Sequence, residues 1–390
     1  MSTEGKKGLG WLKTLLKIAL LGAAFFVVST QVDWYDRVAS NGGDVLRGKI
    51  IEGSDPDAQV VVIETTDGKR ETLVKGSWKK GGKSLGIKST YQSLSLGWYA
   101  LGMALIFAMY CLGVQRWRYL LRAQGLEASY GRAFRLTFMG FFWNNFVPGL
   151  TGGDVAKAVL IAKESPGRRS EAVATVIVDR LIGLAVLALI SAAAILCNFD
   201  KFKDTGFVIF GVLAALAMGA VAIFSRRVRR ALRIDQLLKA LPLSEMLMKL
   251  DKAFRLYRSH PGTLVLAVAL SFAAHCCNIG SVIAFGNDLN INAGWLTYFA
   301  TVPLILITAS IPLFPGGWGV RETAFLFAFA AVGVPEEQKS QIVILSVLLG
   351  FSTMIWSLLG GVFLFVGRGR GDQPSEFEAA ASETPPTLGT

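Results

Sequence analysis

The sequence is poor in charge: Asp, Glu, Lys and Arg make up only 17% of its 390 residues, whereas 52% are apolar. Soluble domains usually carry about 25% charged residues. The shortage of charge therefore argues against an ordinary soluble protein. It predicts a chain that places much of its length inside a membrane.

Cysteine and histidine are also scarce, with four cysteines and two histidines in the whole chain. Four cysteines are too few for a disulfide framework in a chain of this size. His275, Cys276 and Cys277 are consecutive, so on a helix they point to different faces and do not converge on one metal ion. We expect a structural role for all three.

The motifs of common enzyme classes do not occur at convincing spacing. We find no hydrolase nucleophile elbow, Walker loop, dinucleotide fingerprint or zinc motif. Without a Walker loop the chain is not expected to be an ATP-driven pump by itself. We predict no cofactor, no metal and no catalytic activity.

Apolar runs of about 20 residues, the length that a helix needs to cross a bilayer, occur six times. We read the first as an uncleaved signal-anchor helix, because Lys13 and Lys17 interrupt it and no clear cleavage site follows; the alternative is cleavage at Ser29 or nearby. The six predicted spans are Leu9–Val28, Leu94–Val114, Ala172–Leu196, Gly206–Phe224, Leu264–Phe285 and Ile342–Val366.

The net charge of +12 is concentrated beside the ends of these runs. Basic clusters follow the second run and the fourth, and the clusters fall on one side of the membrane if the N-terminus is cytoplasmic. This is the positive-inside pattern, so nucleic-acid binding is not needed to explain the charge. We predict cytoplasmic N- and C-termini.

Composition divides the chain into a first transmembrane helix (1–30), an extracytoplasmic β-rich insert (31–93), a transmembrane domain (94–368) and a disordered cytoplasmic tail (369–390). A basic amphipathic segment (225–258) interrupts the transmembrane domain. Within the insert, Asp67-Gly68 predicts a hairpin turn between strands at Val60–Glu64 and Glu71–Val74, with a further strand within Arg47–Glu52.

Two Pro-Gly-x-x-Gly segments, beginning at Pro148 and Pro315, lie inside apolar stretches and are followed by Asp154 and Glu322. Broken backbone is costly in hydrocarbon, and a charged side chain at mid-helix adds at least about 2.5 to 3.5 kcal/mol. Because both segments carry the same energetic costs, we predict that they form a functional site. The alternative is a pair of interfacial loops.

Flanking charge gives each segment a topology. Ala133–Lys163 has basic residues at both ends, so it is expected to enter from the cytoplasm and turn back at Pro148. Trp295–Val334 is expected to dip in from outside and turn at Pro315. The fold class we predict is an all-α polytopic membrane protein with about six spans and two re-entrant hairpins in an inverted repeat.

Helices starting near Gly153 and Gly319 would direct their positive ends toward a shared cavity. Asp154 and Glu322 either cap these helices or bind the cationic part of a substrate, and both alternatives stay open. The predicted substrate-binding residues are Asn144, Asn145, Gly149, Gly152, Gly153, Asp154, Lys157, Asp179, Arg180, Gly316, Gly317, Gly319, Arg321 and Glu322.

Four motifs together resemble the flippase-like membrane domain of lysylphosphatidylglycerol synthases, over Leu94–Val366 and the first span. The resemblance implies movement of a polar-headgroup lipid between the leaflets of a prokaryotic cell (inner) membrane. The aminoacyl-transfer domain of the full synthase is missing, so lipid aminoacylation is not expected. The motifs are Gln115–Arg122, Asn145–Lys157, Asp179–Gly183 and Pro315–Glu322.

Our leading hypothesis is a lipid translocase whose partner is a membrane lipid with an anionic or zwitterionic headgroup. One alternative is an ion-coupled carrier of a small polar solute. Another is an accessory subunit of lipid-linked glycosyl transfer, for which a membrane-bound lipid-modifying enzyme is the candidate partner.

Overall fold

The structure is a computed structural model. It describes residues 34–41, 44–53, 58–92, 94–126, 128–146, 153–197, 260–291, 293–310, 317–335 and 338–366, with residues 199, 211, 214 and 257 as isolated points. Apart from those points, the predicted spans at 9–28 and 206–224, the amphipathic segment at 225–258 and the tail at 369–390 lie outside the described residues.

The described part of the chain is mostly helical. Its helices are α1 (Ile87–Gln92), α2 (Leu96–Ala123), α3 (Tyr130–Phe146), α4 (Gly153–Lys163), α5 (Arg169–Cys197), α6 (Pro261–Asp288), α7 (Trp295–Ala309), α8 (Val320–Ala331) and α9 (Lys339–Val366). By length and apolar composition, α2, α5, α6 and α9 can each cross a membrane. They coincide with four of the six predicted spans.

A small antiparallel sheet precedes these helices, in the strand order β4-β3-β2-β1-β5. The three predicted strands are confirmed as β2, β3 and β4, whereas β1 and β5 carry no clear alternating pattern and were missed. Val38, Ile50, Val61 and Ile63 form the buried core of the sheet. The strands are β1 (Asp36–Ser40), β2 (Val45–Glu52), β3 (Val60–Thr65), β4 (Arg70–Val74) and β5 (Trp78–Ser84).

The helices pack around two long ones, α2 and α6, which lie against each other. Gly102 of α2 makes room for the ring of Phe285 of α6, since a Cβ on Gly102 would lie 2.2 Å from it. α3 packs on α9, and α7 packs on α5. This arrangement brings the two shorter helix pairs, α3 with α4 and α7 with α8, beside the long helices that carry the charged residues described next.

Candidate functional site

The first Pro-Gly region comprises α3, α4 and the segment between them. α4 begins at Gly153, where the sequence predicts a helix start. Here the two helices are in backbone contact: a Cβ on Gly140 would lie 2.7 Å from the carbonyl oxygen of Gly153. The backbone N–H of Gly153 donates to Oδ1 of Asn144 at 3.2 Å. Asn144 therefore caps the start of α4.

Asp179, in the first half of α5, lies between two cations from other helices. Nε of Arg116, on α2, donates to one carboxylate oxygen at 2.7 Å, and Nζ of Lys157, on α4, lies 3.5 Å from the other. The side chains are nearly buried, with exposed fractions of 12% for Arg116, 6% for Lys157 and 10% for Asp179. We call Arg116, Lys157 and Asp179 the basic triad, because its formal charge is +1.

Neighbouring side chains fix the triad in place. Nη1 of Arg116 donates to Oγ of Ser271, on α6, at 2.7 Å. Nζ of Lys157 lies 3.8 Å from the centre of the Trp117 ring, and the indole N–H of Trp117 donates to Oγ1 of Thr175 at 3.0 Å. Four helices, α2, α4, α5 and α6, therefore converge on this group. Because its cations are held by packing as well as by charge, their positions are preorganised.

Arg180 follows Asp179 in the chain but contacts different partners. Its guanidinium forms an ion pair with Asp154 in the first turn of α4, and its Nη2 donates to the carbonyl oxygen of Ser310 at 2.6 Å. Ser310 ends α7, so this one side chain links the first Pro-Gly region to the end of α7. The side chains of Arg180 and Asp154 are 42% and 34% exposed. They are therefore accessible, unlike the triad.

The second Pro-Gly region comprises α7, α8 and the segment between them. Glu322 is buried, and its Oε2 accepts the backbone N–H of Gly319 at 2.5 Å, so it caps the start of α8. Its Oε1 accepts Nη2 of Arg321 at 2.7 Å and Oγ of Ser346, on α9, at 3.2 Å. Gly317 and Gly319 have positive φ, +71° and +83°, as expected where the backbone turns into a helix.

The predicted site residues thus fall into two groups. Gly153, Asp154, Lys157, Asp179 and Arg180 come together with Asn144. Among the residues that the structure describes, the side chains that hydrogen-bond with Arg321 and Glu322 belong to α8 and α9, and Cζ of Arg321 lies 4.7 Å from the centre of the Trp318 ring just before α8. The side-chain amide of Asn145 donates to the carbonyl of Phe141 in its own helix. The described ranges do not include Pro148, Gly149, Gly152, Pro315 and Gly316.

Three participants were missed by sequence reasoning. Arg116 lies two residues beyond the second apolar run, inside the motif Gln115–Arg122, and its presence in that motif was a signal that could have found it. Ser271 and the carbonyl of Ser310 carry no such signal, because small hydroxyls and backbone groups are common in membrane helices. His275, which sequence reasoning assigned a structural role, places Nε2 3.1 Å from the carbonyl oxygen of Gly183.

Comparison with known proteins gives consistent relatives. The family model described as the lysylphosphatidylglycerol synthase TM region matches residues 86–361. A UPF0104 membrane protein of Pyrococcus horikoshii is 26% identical over 291 residues, covering 68% of this chain and 86% of that protein. Another, of Methanocaldococcus jannaschii, is 19% identical over 267 residues, covering 64% and 79%. No solved structure shows a significant match.

Proposed function

The chain belongs to the family of the lysylphosphatidylglycerol synthase transmembrane region, and from this premise we propose that it moves a polar-headgroup lipid between the leaflets. It is a multi-pass membrane protein, with four described helices that can cross a bilayer. The proposal places the headgroup between the helices while the acyl chains stay in the bilayer. The membrane we propose is the prokaryotic cell membrane.

The observation that carries the proposal is the unequal charge of the basic triad. Among the residues that the structure describes, Asp179 is the carboxylate paired with both Arg116 and Lys157, so it neutralises one of these two cations, and all three side chains are nearly buried. An uncompensated charge inside a membrane protein is costly and marks a substrate or ion pathway by default. The phosphate of an anionic or zwitterionic lipid would supply the missing negative charge, through charge-assisted hydrogen bonds from Arg116 and Lys157.

The accessible pair Asp154 and Arg180 suits the rim of such a cavity. An incoming phosphate would compete with Asp154 for the guanidinium of Arg180, and the carboxylate so released would attract a cationic headgroup amine. Because Arg180 also donates to Ser310 at the end of α7, this exchange would weaken the link between α5 and α7. We propose that the exchange couples headgroup binding to movement of the helices.

Helix lengths support the re-entrant hairpins that belong to the proposal. At about 1.5 Å per residue, the 11 residues of α4 and the 12 of α8 reach about 16 and 18 Å, well short of a hydrocarbon core of about 30 Å. The 17 residues of α3 and 15 of α7 reach about 26 and 22 Å. Neither pair is therefore expected to cross the membrane twice.

Helix packing supports the proposed inverted repeat. If α2, α3, α4 and α5 correspond to α6, α7, α8 and α9, the contact of α3 with α9 matches that of α7 with α5. The contacts of α4 with α5 and of α2 with α3 likewise match those of α8 with α9 and of α6 with α7. With a span before each set, this repeat gives six spans and cytoplasmic termini.

Reconstituted protein provides the test. We expect wild-type protein in liposomes to redistribute a fluorescent phosphatidylglycerol between leaflets, and Lys157→Met to slow this at least about tenfold, since it removes a charge that contacts the phosphate. Lys163→Met is the matched control, because Lys163 ends the same helix and is exposed. An unchanged leaflet distribution with wild-type protein, under every ion gradient tried, would refute the proposal.

A further inference from the structure

A second basic feature lies at the turn between α2 and α3, away from the triad. A cleft of about 740 Å³ opens there, and its lining includes Arg118, Arg122 and Arg132. Arg118 and Arg122 are four residues apart and share a face of α2, whereas Arg116 precedes Arg118 by two residues and points to another side. One face of α2 therefore contributes arginines to the cleft, and another face contributes Arg116 to the basic triad.

Arg118 is held in place in this cleft by uncharged acceptors, and neither Arg118 nor Arg122 is neutralised by a described carboxylate. Nε of Arg118 donates to the carbonyl of Ala128 at 3.2 Å, and its Nη1 donates weakly to Gln115 at 3.4 Å. Both acceptors are uncharged. In the part of the chain that the structure describes, Arg118 and Arg122 form no ion pair. The positive charge of the cleft therefore stays largely uncompensated by these residues.

Arg132 does meet a carboxylate, but shares it. Its Nε lies 2.6 Å from Oε2 of Glu164, while Nη2 of Arg135 lies 3.0 Å from Oε1 of the same residue. Glu127, in the turn, lies outside the described residues. Among the described residues, the three arginines of the cleft lining therefore meet one carboxylate, that of Glu164, which Arg135 also shares.

Two features of the turn suit a phosphate. Ser129 and Arg132, at the start of α3, line the cleft, so the N-terminus of α3, with its partial positive charge, opens there. One of its N–H groups, that of Arg132, already donates to Oγ of Ser129 at 3.2 Å. Leu126 and Ala128 also line the cleft and are almost fully buried. Basic pockets beside transmembrane helices are typical sites for anionic lipid headgroups, and the arginine guanidinium suits a phosphate.

We propose that this cleft binds a phosphate-ester anion, and that an anionic lipid at the basic membrane surface provides it. The site is distinct from the cavity proposed for translocation. Lys157→Met is therefore expected to leave lipid bound in the cleft, so failure of the translocation proposal would not remove this one.

The test measures lipid retained by full-length protein in nanodiscs of phosphatidylcholine with phosphatidylglycerol. After release, native mass spectrometry counts the phosphatidylglycerol molecules that stay bound. Arg122→Gln is the primary variant, because Arg122 is exposed and its loss should not disturb folding; Arg118→Gln/Arg122→Gln is the stronger one. Arg135→Gln is the matched control, since it removes the same charge nearby, from a residue outside the cleft lining.

We expect the double variant to weaken retention at least about tenfold, Arg122→Gln to weaken it less, and Arg135→Gln to retain the lipid. Equal retention by the double variant and wild type would overturn the proposal, as would equal loss in Arg135→Gln.

Calorimetry with glycerol 3-phosphate and inorganic phosphate distinguishes a lipid from a soluble anion as the source of the phosphate. The lipid assignment would be overturned by two results together. The soluble anions would bind wild-type protein tightly but not the double variant, and phosphatidylglycerol would bind neither.

Discussion

Each Pro-Gly region places a carboxylate in the first turn of its second helix, Asp154 in α4 and Glu322 in α8, but the two carboxylates have different partners. In the second region, Glu322 accepts the N–H of Gly319 and pairs with Arg321 beside it. In the first region, Asn144 caps the helix. Asp154 is left to pair with Arg180 on α5. The second region therefore pairs its charges with each other, whereas the first depends on charges from neighbouring helices.

This difference gives the two regions unequal charge. Arg321 and Glu322 neutralise each other at 2.7 Å and are buried, so nothing in their charge calls for a ligand. The first region adds Lys157 to a group in which Asp179 already has Arg116. A similar motif thus holds the start of its own helix in one half and, in our proposal, binds the headgroup in the other. The substrate roles of Arg321 and Glu322 stay a prediction without support from their contacts.

The largest effect is expected from Asp179→Asn, which leaves two buried cations without their carboxylate. We expect a loss of about 3–5 kcal/mol in the free energy of unfolding, measured in detergent with a denaturant. Glu171→Gln, in the first turn of the same helix, should cost less than about 1 kcal/mol. Adding Lys157→Met to Asp179→Asn should restore part of the loss. If the double variant is no more stable than Asp179→Asn alone, excess positive charge is not the cause of the lost stability.

The next effect concerns backbone contact in the first region. Gly140→Ala would place a methyl group 2.7 Å from the carbonyl oxygen of Gly153, and backbone does not yield easily. We expect a net loss of about 2 kcal/mol in unfolding free energy. Gly131→Ala, in the same helix with nothing within 4 Å of the added carbon, should be neutral or gain up to about 1 kcal/mol. If the two variants have similar unfolding free energies, the backbone contact between Gly140 and Gly153 does not distinguish the first region.

A smaller effect is expected from removing the cap of the first region. Asn144→Ala removes the acceptor of the Gly153 N–H, and losing an N-cap costs about 0.5–2 kcal/mol. Asn145→Ala removes a bond within its own helix and should cost less. Thermal unfolding of the paired variants measures the difference. A larger loss in Asn145→Ala would show that Asn144 does not hold the start of α4.

The smallest effect is expected from removing both charges of the second region. In Arg321→Met/Glu322→Gln the glutamine oxygen can still accept the N–H of Gly319, and replacing a buried ion pair by uncharged groups is often nearly neutral. We expect the unfolding free energy to change by less than about 1 kcal/mol, and lipid redistribution to continue. Abolished redistribution in a stable double variant would place the substrate in the second region as well.

Local features were predicted well from the sequence. The helix starts at Gly153 and Val320 follow from glycine and proline turns, and the strands β3 and β4 follow from alternation around Asp67-Gly68. Each depends on a few neighbouring residues. The structure pairs Asp179 with Lys157 and Arg180 with Asp154, and all four were among the predicted site residues. Asp154 and Lys157 lie one turn apart on one helix, so both can reach α5.

By itself the sequence determined a helical membrane protein with its charges at a few costly positions, because hydropathy, glycine and proline act locally. Only the tertiary structure decided which charges meet. Arg116 is 63 residues from Asp179, and Ser310 is 130 residues from Arg180. The sequence pattern does not show that these residues meet, since the contacts depend on how α2, α5 and α7 pack. The surplus positive charge of the triad is therefore a property of the fold.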